Sequence, residues 1–307
     1  MALGNLGIGL YWYANHLYDR GHAAVLLKTA HECLGKAVER DIQPGAREGF
    51  ARKRREIEGF FSNGPDSVSA DLHGFGLGST PEEIEYREWS LHQRLFLNPL
   101  NDLGAYSIAS RDILTEPPVV VGIDEGLFYP GFFNQMKQEY VSARFLFFEG
   151  SHMVEPHYSD AGVHLYDTMD YPCYGLSTEK VRIAFRMAYS LLDKTAFFLN
   201  HYLGLGTDDW RVSFKTIWYE RGRRTNGLRN FFVDRRNLPF RGLFWLSKDL
   251  FEDREDFREA MEPDAEELSA IRHHLEHKYL KLHEDLWCGP EENHDQRLGT
   301  YEDDWKR

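Results

Sequence analysis

The 307-residue chain is 42% hydrophobic, 14% aromatic and 28% charged, far from the disordered range and long enough for one sizeable core or two small ones. No apolar run approaches the roughly 20 residues of a membrane-spanning helix, and the apolar start from Leu6 to Ala14 lacks the basic lead and cleavage site of a signal peptide. Cys33, Cys173 and Cys288 are far apart and odd in number, so neither a disulfide framework nor a cysteine metal site is implied, and a cytoplasmic protein without metal or cofactor is expected.

The net charge of −13 argues at first against a nucleic-acid partner, but the charge is unevenly spread. Between Arg211 and Arg241 nine basic residues stand against two acids, whereas from Glu252 to Glu267 nine acids stand against two basic residues. Such asymmetry can hold a phosphate backbone on one face while the whole molecule stays acidic. Arg221, Arg223, Arg224, Arg229, Arg235 and Arg236 are the candidate RNA contacts. The competing account is two solvated faces that attract each other.

Residues 1–60 are expected to form a helical hairpin, one helix from about Leu3 to Tyr18 and a second from about His22 to Arg40. Ala30, Leu34 and Ala37 have the small-large-small spacing of the second helix of a tetratricopeptide repeat, and Pro44 closes it. Residues 61–80, rich in Gly, Ser, Asp and Pro, form the expected linker. Residues 81–290 form the expected helical domain. Pro81 opens a helix reaching about Asp102. Val119-Val120-Val121 is a short strand or extended loop. A helix follows from about Phe132 to Glu149, then a polar loop from Gly150 to Gly175.

The clearest periodicity lies between Ser177 and about Leu203, where Val181, Phe185, Ala188, Leu192, Ala196, Leu199 and Leu203 recur at helical spacing. Gly242 to Leu250 is apolar and expected to be buried. A final helix is expected from about Asp264 to Trp287, stopped by Gly289-Pro290, with a polar tail at 291–307. The predicted elements are mainly α.

In that last helix Leu268, Ile271, Leu275, Tyr279, Leu282 and Leu286 form an apolar stripe. With Leu275 as origin and about 100° per residue, Arg272 falls near 60°, Glu276 near 100°, His273 near 160° and His277 near 200°. Leu280 and Trp287 fall among these polar groups, so another element or a second copy of the chain is expected to cover this face, and in a dimer both residues lie in the seam.

An Arg five residues before a His has a logic for RNA. The guanidinium is a permanently charged fork for phosphate. Imidazole, with an unperturbed pKa of about 6.5, exchanges protons near neutrality. RNA carries its own nucleophile, the 2′-OH, so no metal is required.

The stretch Ile271-Arg272-His273-His274-Leu275-Glu276-His277-Lys278-Tyr279-Leu280 resembles the Arg-x4–6-His signature of the HEPN superfamily, in which a polar residue such as His273 follows the Arg. Leu95 to Asp102, Val141 to Arg144, Ala188 to Lys194 and Gly242 to Leu250 also resemble a bacterial HEPN group that carries tetratricopeptide repeats in front. The resemblance implies an all-α helical bundle that dimerises around the motif helix and cleaves RNA without metal, often as a toxin or antiphage effector; no residue of the sequence marks an antitoxin or regulatory partner. It implies catalytic roles for Arg272 and His277, with His273 and Glu276 beside them and Asp193 in a supporting position.

Two rival accounts use the same residues. His273-x-x-Glu276-His277 spells the pattern of inverted zinc proteases, which need a third ligand on a further helix. A HEPN bundle that binds RNA or protein without cutting is the other. The cluster His152, His157, Asp160 and His164 reads as a polar loop, and Lys194 beside Asp193 as a surface ion pair. Gly74 to Gly78 lacks the Lys-Ser/Thr of a phosphate loop.

Overall fold

The computed structural model of the chain describes residues 2–15, 20–69, 75–116, 126–154, 156–167, 169, 172–233, 237–251 and 264–282. Among them run nine α-helices: α1 (Ala2–Ala14), α2 (Arg20–Val38), α3 (Pro44–Glu58), α4 (Pro81–His92), α5 (Phe128–His152), α6 (Leu176–Tyr202), α7 (Asn230–Val233), α8 (Leu238–Phe251) and α9 (Ala265–His277). The described residues contain no strand, only an isolated antiparallel bridge between Tyr219 and Leu228. The fold is all-α, as expected. Val119–Val121, residues 252–263 of the acidic stretch, Cys288 and the tail at 291–307 lie outside the described residues.

The chain divides into two units, Met1–Pro117 and Pro118–Arg307. In the first, α1 packs closely on α2 because small residues face it. A Cβ on Gly7 would stand 2.7 Å from Leu34 and 3.0 Å from the Ala30 carbonyl oxygen. Around this seam Tyr11, Leu26, Ala30, Leu34, Phe50 and Ile57 are buried. Helix α3 is absent from the sequence expectation. Pro44, expected to close a helix, instead opens one, occupying a first-turn position where its missing N–H costs no hydrogen bond. The remaining residues of α3 are mostly charged, and only Phe50 and Ile57 are buried, which leaves little apolar periodicity to read.

Helix α4 starts where expected. Thr80 Oγ1 accepts from the Glu83 amide at 3.2 Å, and the Glu83 carboxylate accepts from the Ser79 amide at 2.8 Å. It stops at His92 rather than near Asp102 because the buried Asn101 amide folds the chain back. Asn101 Nδ2 donates to the Leu91 carbonyl at 2.9 Å, and Oδ1 accepts from the Phe96 amide at 3.0 Å. Leu91, Phe96, Leu100 and Ala109 then pack with Val25 of α2. Residues 81–116 thus lie in the same compact unit as α1–α3.

In the second unit α5 and α6 pack along each other, tied by Lys180 to Glu149 at 3.0 Å and by Lys194 to Glu139. The core centres on Trp218, which is fully buried with Phe214, Phe232, Phe240 and Phe244 around it at centroid distances of 5.2–5.8 Å. Leu250 of α8 and Ala265 of α9 close the same core. The hub thus lies inside the basic stretch from Arg211 to Arg241, whose charge pattern concealed its aromatic interior.

Candidate active site

Helix α9 opens with the strong helix formers Ala265, Glu266, Glu267 and Leu268. It packs on α6 and α8, burying Ala265 and Leu275 and half-burying Ile271. It ends at His277, not near Trp287. Lys278 is extended, and two tertiary hydrogen bonds take over beyond it. Arg182 Nη2 donates to the Leu280 carbonyl at 2.9 Å, and the Cys173 amide donates to the Leu282 carbonyl at 2.7 Å. The expected apolar stripe is corrected accordingly: Tyr279 lies past the helix and is exposed, as is Leu268. Leu280, half-buried and non-helical, does not share the helical face of the polar groups. Trp287 lies outside the described residues.

Within α9 the polar fan has the expected order. Arg272, nearest the buried side, is half-buried, with its guanidinium carbon 5.2 Å from the centroid of the Tyr189 ring. His273 and His277, farthest from the core, are exposed, and their rings meet edge to face at 5.4 Å. Glu276 lies between, exposed, with Oε1 at 3.4 Å from Arg186 Nε.

Arg186 also donates to the Leu275 carbonyl. That carbonyl is among the last four of α9, which have no partner within the helix, so the guanidinium caps the helix and complements the negative end of its dipole. Tyr189 is buried, and burial pushes its phenol pKa up; Ser269 and Arg272 draw it down again, and the Asp193 carboxylate adds to the rise. Its hydroxyl makes no well-formed hydrogen bond among the described residues.

Asp193 is turned towards the core segment. Its Oδ1 accepts from the Phe214 amide at 2.8 Å, fastening the turn that leads to Trp218. Lys194 is in the ion pair with Glu139 already described.

The basic residues divide. Arg221, Arg223 and Arg224 are exposed, Arg221 in the left-handed region at φ 52°. Arg229 is buried, and its guanidinium donates to the carbonyls of Tyr219 and Leu205 at 3.1 and 3.0 Å and to Thr207 Oγ1 at 2.6 Å. Its place as a surface RNA contact is corrected: it is a clamp between two loops. Arg235 and Arg236 lie outside the described residues.

Among the described residues no three or more His, Cys, Asp or Glu side chains converge as a metal site. Glu276, the base in the zinc reading, pairs with Arg186. In the polar loop, His157 accepts from the Ser159 amide and Asp160 Oδ2 accepts from the Leu176 amide at the start of α6, at 3.0 Å. No helix among the described residues is long and apolar enough to cross a membrane.

Tyr189, Ser269 and Arg186 were not among the expected site residues. A signal for two of them exists: Arg182, Arg186, Tyr189 and Asp193 are spaced by four, three and four along α6, a polar stripe on one helical face.

No curated protein and no solved structure matches the chain. The profile of the LA2681-like HEPN family matches residues 120–304, more than half of the chain and almost all of the second unit, and it includes the whole of α9. On that match and on the helical architecture that carries it, the chain belongs to the LA2681-like HEPN family.

Proposed function

We propose that the second unit is a metal-independent endoribonuclease, with Arg272 and His277 as its reacting pair, acting as a toxin or defence effector. The observation that carries this reading is the division of labour on α9: an anchored guanidinium on one side and two exposed imidazoles in ring contact on the other. Arg272 binds the scissile phosphate. His277 takes the proton of the 2′-OH, the 2′ oxygen attacks phosphorus, and the bond to the 5′ oxygen breaks. That oxygen takes a proton from His273, and the products are a 2′,3′-cyclic phosphate and a 5′-hydroxyl.

Arg272 and His277 lie about 140° apart around the helix, so a phosphate reached by both lies across Glu276 and His273. The Arg186 partner of Glu276 offsets the repulsion that its carboxylate would exert there. A second copy of the chain laid over this face would exclude water from both imidazoles, with Leu280, just past the end of the helix, and Trp287 at the edge of the seam.

The test is a labelled single-stranded RNA incubated with the purified full chain in excess chelator. Cleavage to cyclic-phosphate ends that disappears in Arg272→Ala and in His277→Ala supports the proposal. RNA binding without cleavage overturns it in favour of a binding module. Leu280→Asp is expected to give a monomer by light scattering.

A further inference from the structure

The imidazole pair on α9 has a geometry that proton transfer alone does not require. His273 and His277 stand one helical turn apart, both exposed, with ring centroids 5.4 Å apart. A zinc ion lies about 2.0–2.1 Å from an imidazole nitrogen, and hence about 3.2 Å from the ring centre. At a tetrahedral angle, two rings on one ion have centres about 5.2 Å apart. The spacing on α9 agrees with this to within about 0.2 Å. The Cβ–Cγ torsion of histidine is broad, so each ring can turn a nitrogen toward a shared point.

The turn that carries the pair is fixed. Arg186 caps it at the Leu275 carbonyl, and the Lys278 amide donates to the His274 carbonyl at 2.9 Å. His274 stands apart from the pair, half-buried, with Nδ1 bonded to the Ala270 carbonyl at 2.8 Å. Charge does not select the ion here. The Glu276 carboxylate is offset by Arg186, and Arg272 and Lys278 flank the two histidines in the chain. Hard ions held by oxygen and charge, such as magnesium and calcium, are therefore disfavoured. Imidazole nitrogen suits zinc, nickel and copper.

We infer that His273 and His277 together bind a divalent ion of the zinc type, and that the bound ion blocks RNA cleavage by this same pair. The second clause rests on the nuclease reading. A ligated imidazole gives its lone pair to the ion and keeps an N–H on its other nitrogen, so His277 can no longer accept the 2′-OH proton. Binding also releases to water the proton that His273 would give to the leaving 5′ oxygen. With two protein ligands and water at its other positions, the ion is held less tightly than in a closed four-ligand site. It acts as a removable inhibitor, not as a cofactor.

The test is isothermal titration of the untagged full chain with zinc, nickel and magnesium chlorides. Saturable uptake of at most one zinc ion per chain is expected, with nickel bound as well and magnesium not. His273→Ala and His277→Ala are each expected to weaken zinc binding at least about tenfold, the loss that follows removal of even an outer partner of a metal ligand. His274→Ala is expected to leave it unchanged. Circular dichroism checks that the three variants fold alike. Zinc is also expected to slow amide exchange at Lys278, because the ion staples the last turn of α9.

Cleavage supplies the second arm. Zinc at saturation is expected to lower RNA cleavage by the wild type at least about a hundredfold, the contribution of a general acid or base, with full recovery in excess chelator and no effect of magnesium. Zinc uptake without saturation, affinity unaltered in both His273→Ala and His277→Ala, or full cleavage by the zinc-saturated chain overturns the inference. A chain that binds zinc through the pair but never cleaves, even in chelator, defeats the nuclease reading and leaves the site standing, because the titration contains no cleavage step.

Discussion

The guanidinium of Arg272 lies 5.2 Å from the ring centroid of Tyr189, and this phenol is itself buried between α6 and α9. The ring, not the hydroxyl, is what holds the cation. Tyr189→Phe is therefore expected to keep RNA cleavage within about twofold, because the aromatic face survives. Tyr189→Ala is expected to lower cleavage about tenfold and to cost about 3 kcal/mol of stability by leaving a cavity. Equal loss in both variants would show that the hydroxyl takes part in the reaction. Alkaline unfolding supplies a second check. The folded pKa of Tyr189 is raised, so its contribution is complete below the unfolded phenol value near 10 and is lost as pH rises through the folded value. Wild type is expected to lose more stability than Tyr189→Phe between about pH 9 and 11, read as the shift in midpoint of thermal unfolding.

Arg186 makes two contacts to α9, capping it at the Leu275 carbonyl and pairing with Glu276. Arg186→Ala removes both. Faster amide exchange is expected at residues 275–282, with KM for RNA raised because the Glu276 carboxylate then repels the phosphate. The double variant Arg186→Ala, Glu276→Gln separates the effects. KM is expected to return towards wild type while the exchange rate stays high. A KM that stays raised in the double variant would place the whole effect in the helix end.

The parts legible in the sequence were those governed by local rules. The bounds of α6 follow from its apolar repeat, and the start of α4 from Pro81. The order of Arg272, Glu276, His273 and His277 around α9 follows from helical geometry alone. What failed was set by partners far along the chain. The end of α9 depends on Arg182 and Cys173, roughly a hundred residues earlier, which bond Leu280 and Leu282 and draw them out of the helix. Asn101 ends α4 from nine residues beyond it. In the basic stretch, net charge masked the burial of Phe214, Ile217 and Trp218, and only the inward bonds of Arg229 distinguish it from its exposed neighbours.

Asp193 gives a clean separation of support from chemistry. Its carboxylate accepts the Phe214 amide, and a neutral side-chain amide of the same shape can do the same. Asp193→Asn is expected to retain most stability and most cleavage, whereas Asp193→Ala leaves the Phe214 N–H without this acceptor at a cost of about 1–2 kcal/mol. Denaturant unfolding and initial cleavage rates should then move together across the two variants. A stable Asp193→Asn protein that no longer cuts would instead make the charge itself catalytic.

Arg223 and Arg229 stand six residues apart in one basic run, yet their environments predict opposite failures. Arg229→Ala leaves the carbonyls of Tyr219 and Leu205 and the Thr207 hydroxyl without its guanidinium, deep against the core. A loss of about 3 kcal/mol is expected, and RNA affinity should fall only as far as the folded fraction falls. Arg223, exposed, is expected to leave stability within about 0.5 kcal/mol when replaced by Ala. If it contacts a strand, the slope of log affinity against log salt should shrink by about 0.7, one phosphate's worth of released counterions. An unchanged slope in Arg223→Ala, and likewise in Arg221→Ala, would remove this face from the RNA path and leave its charge as counterweight to the acidic remainder of the chain.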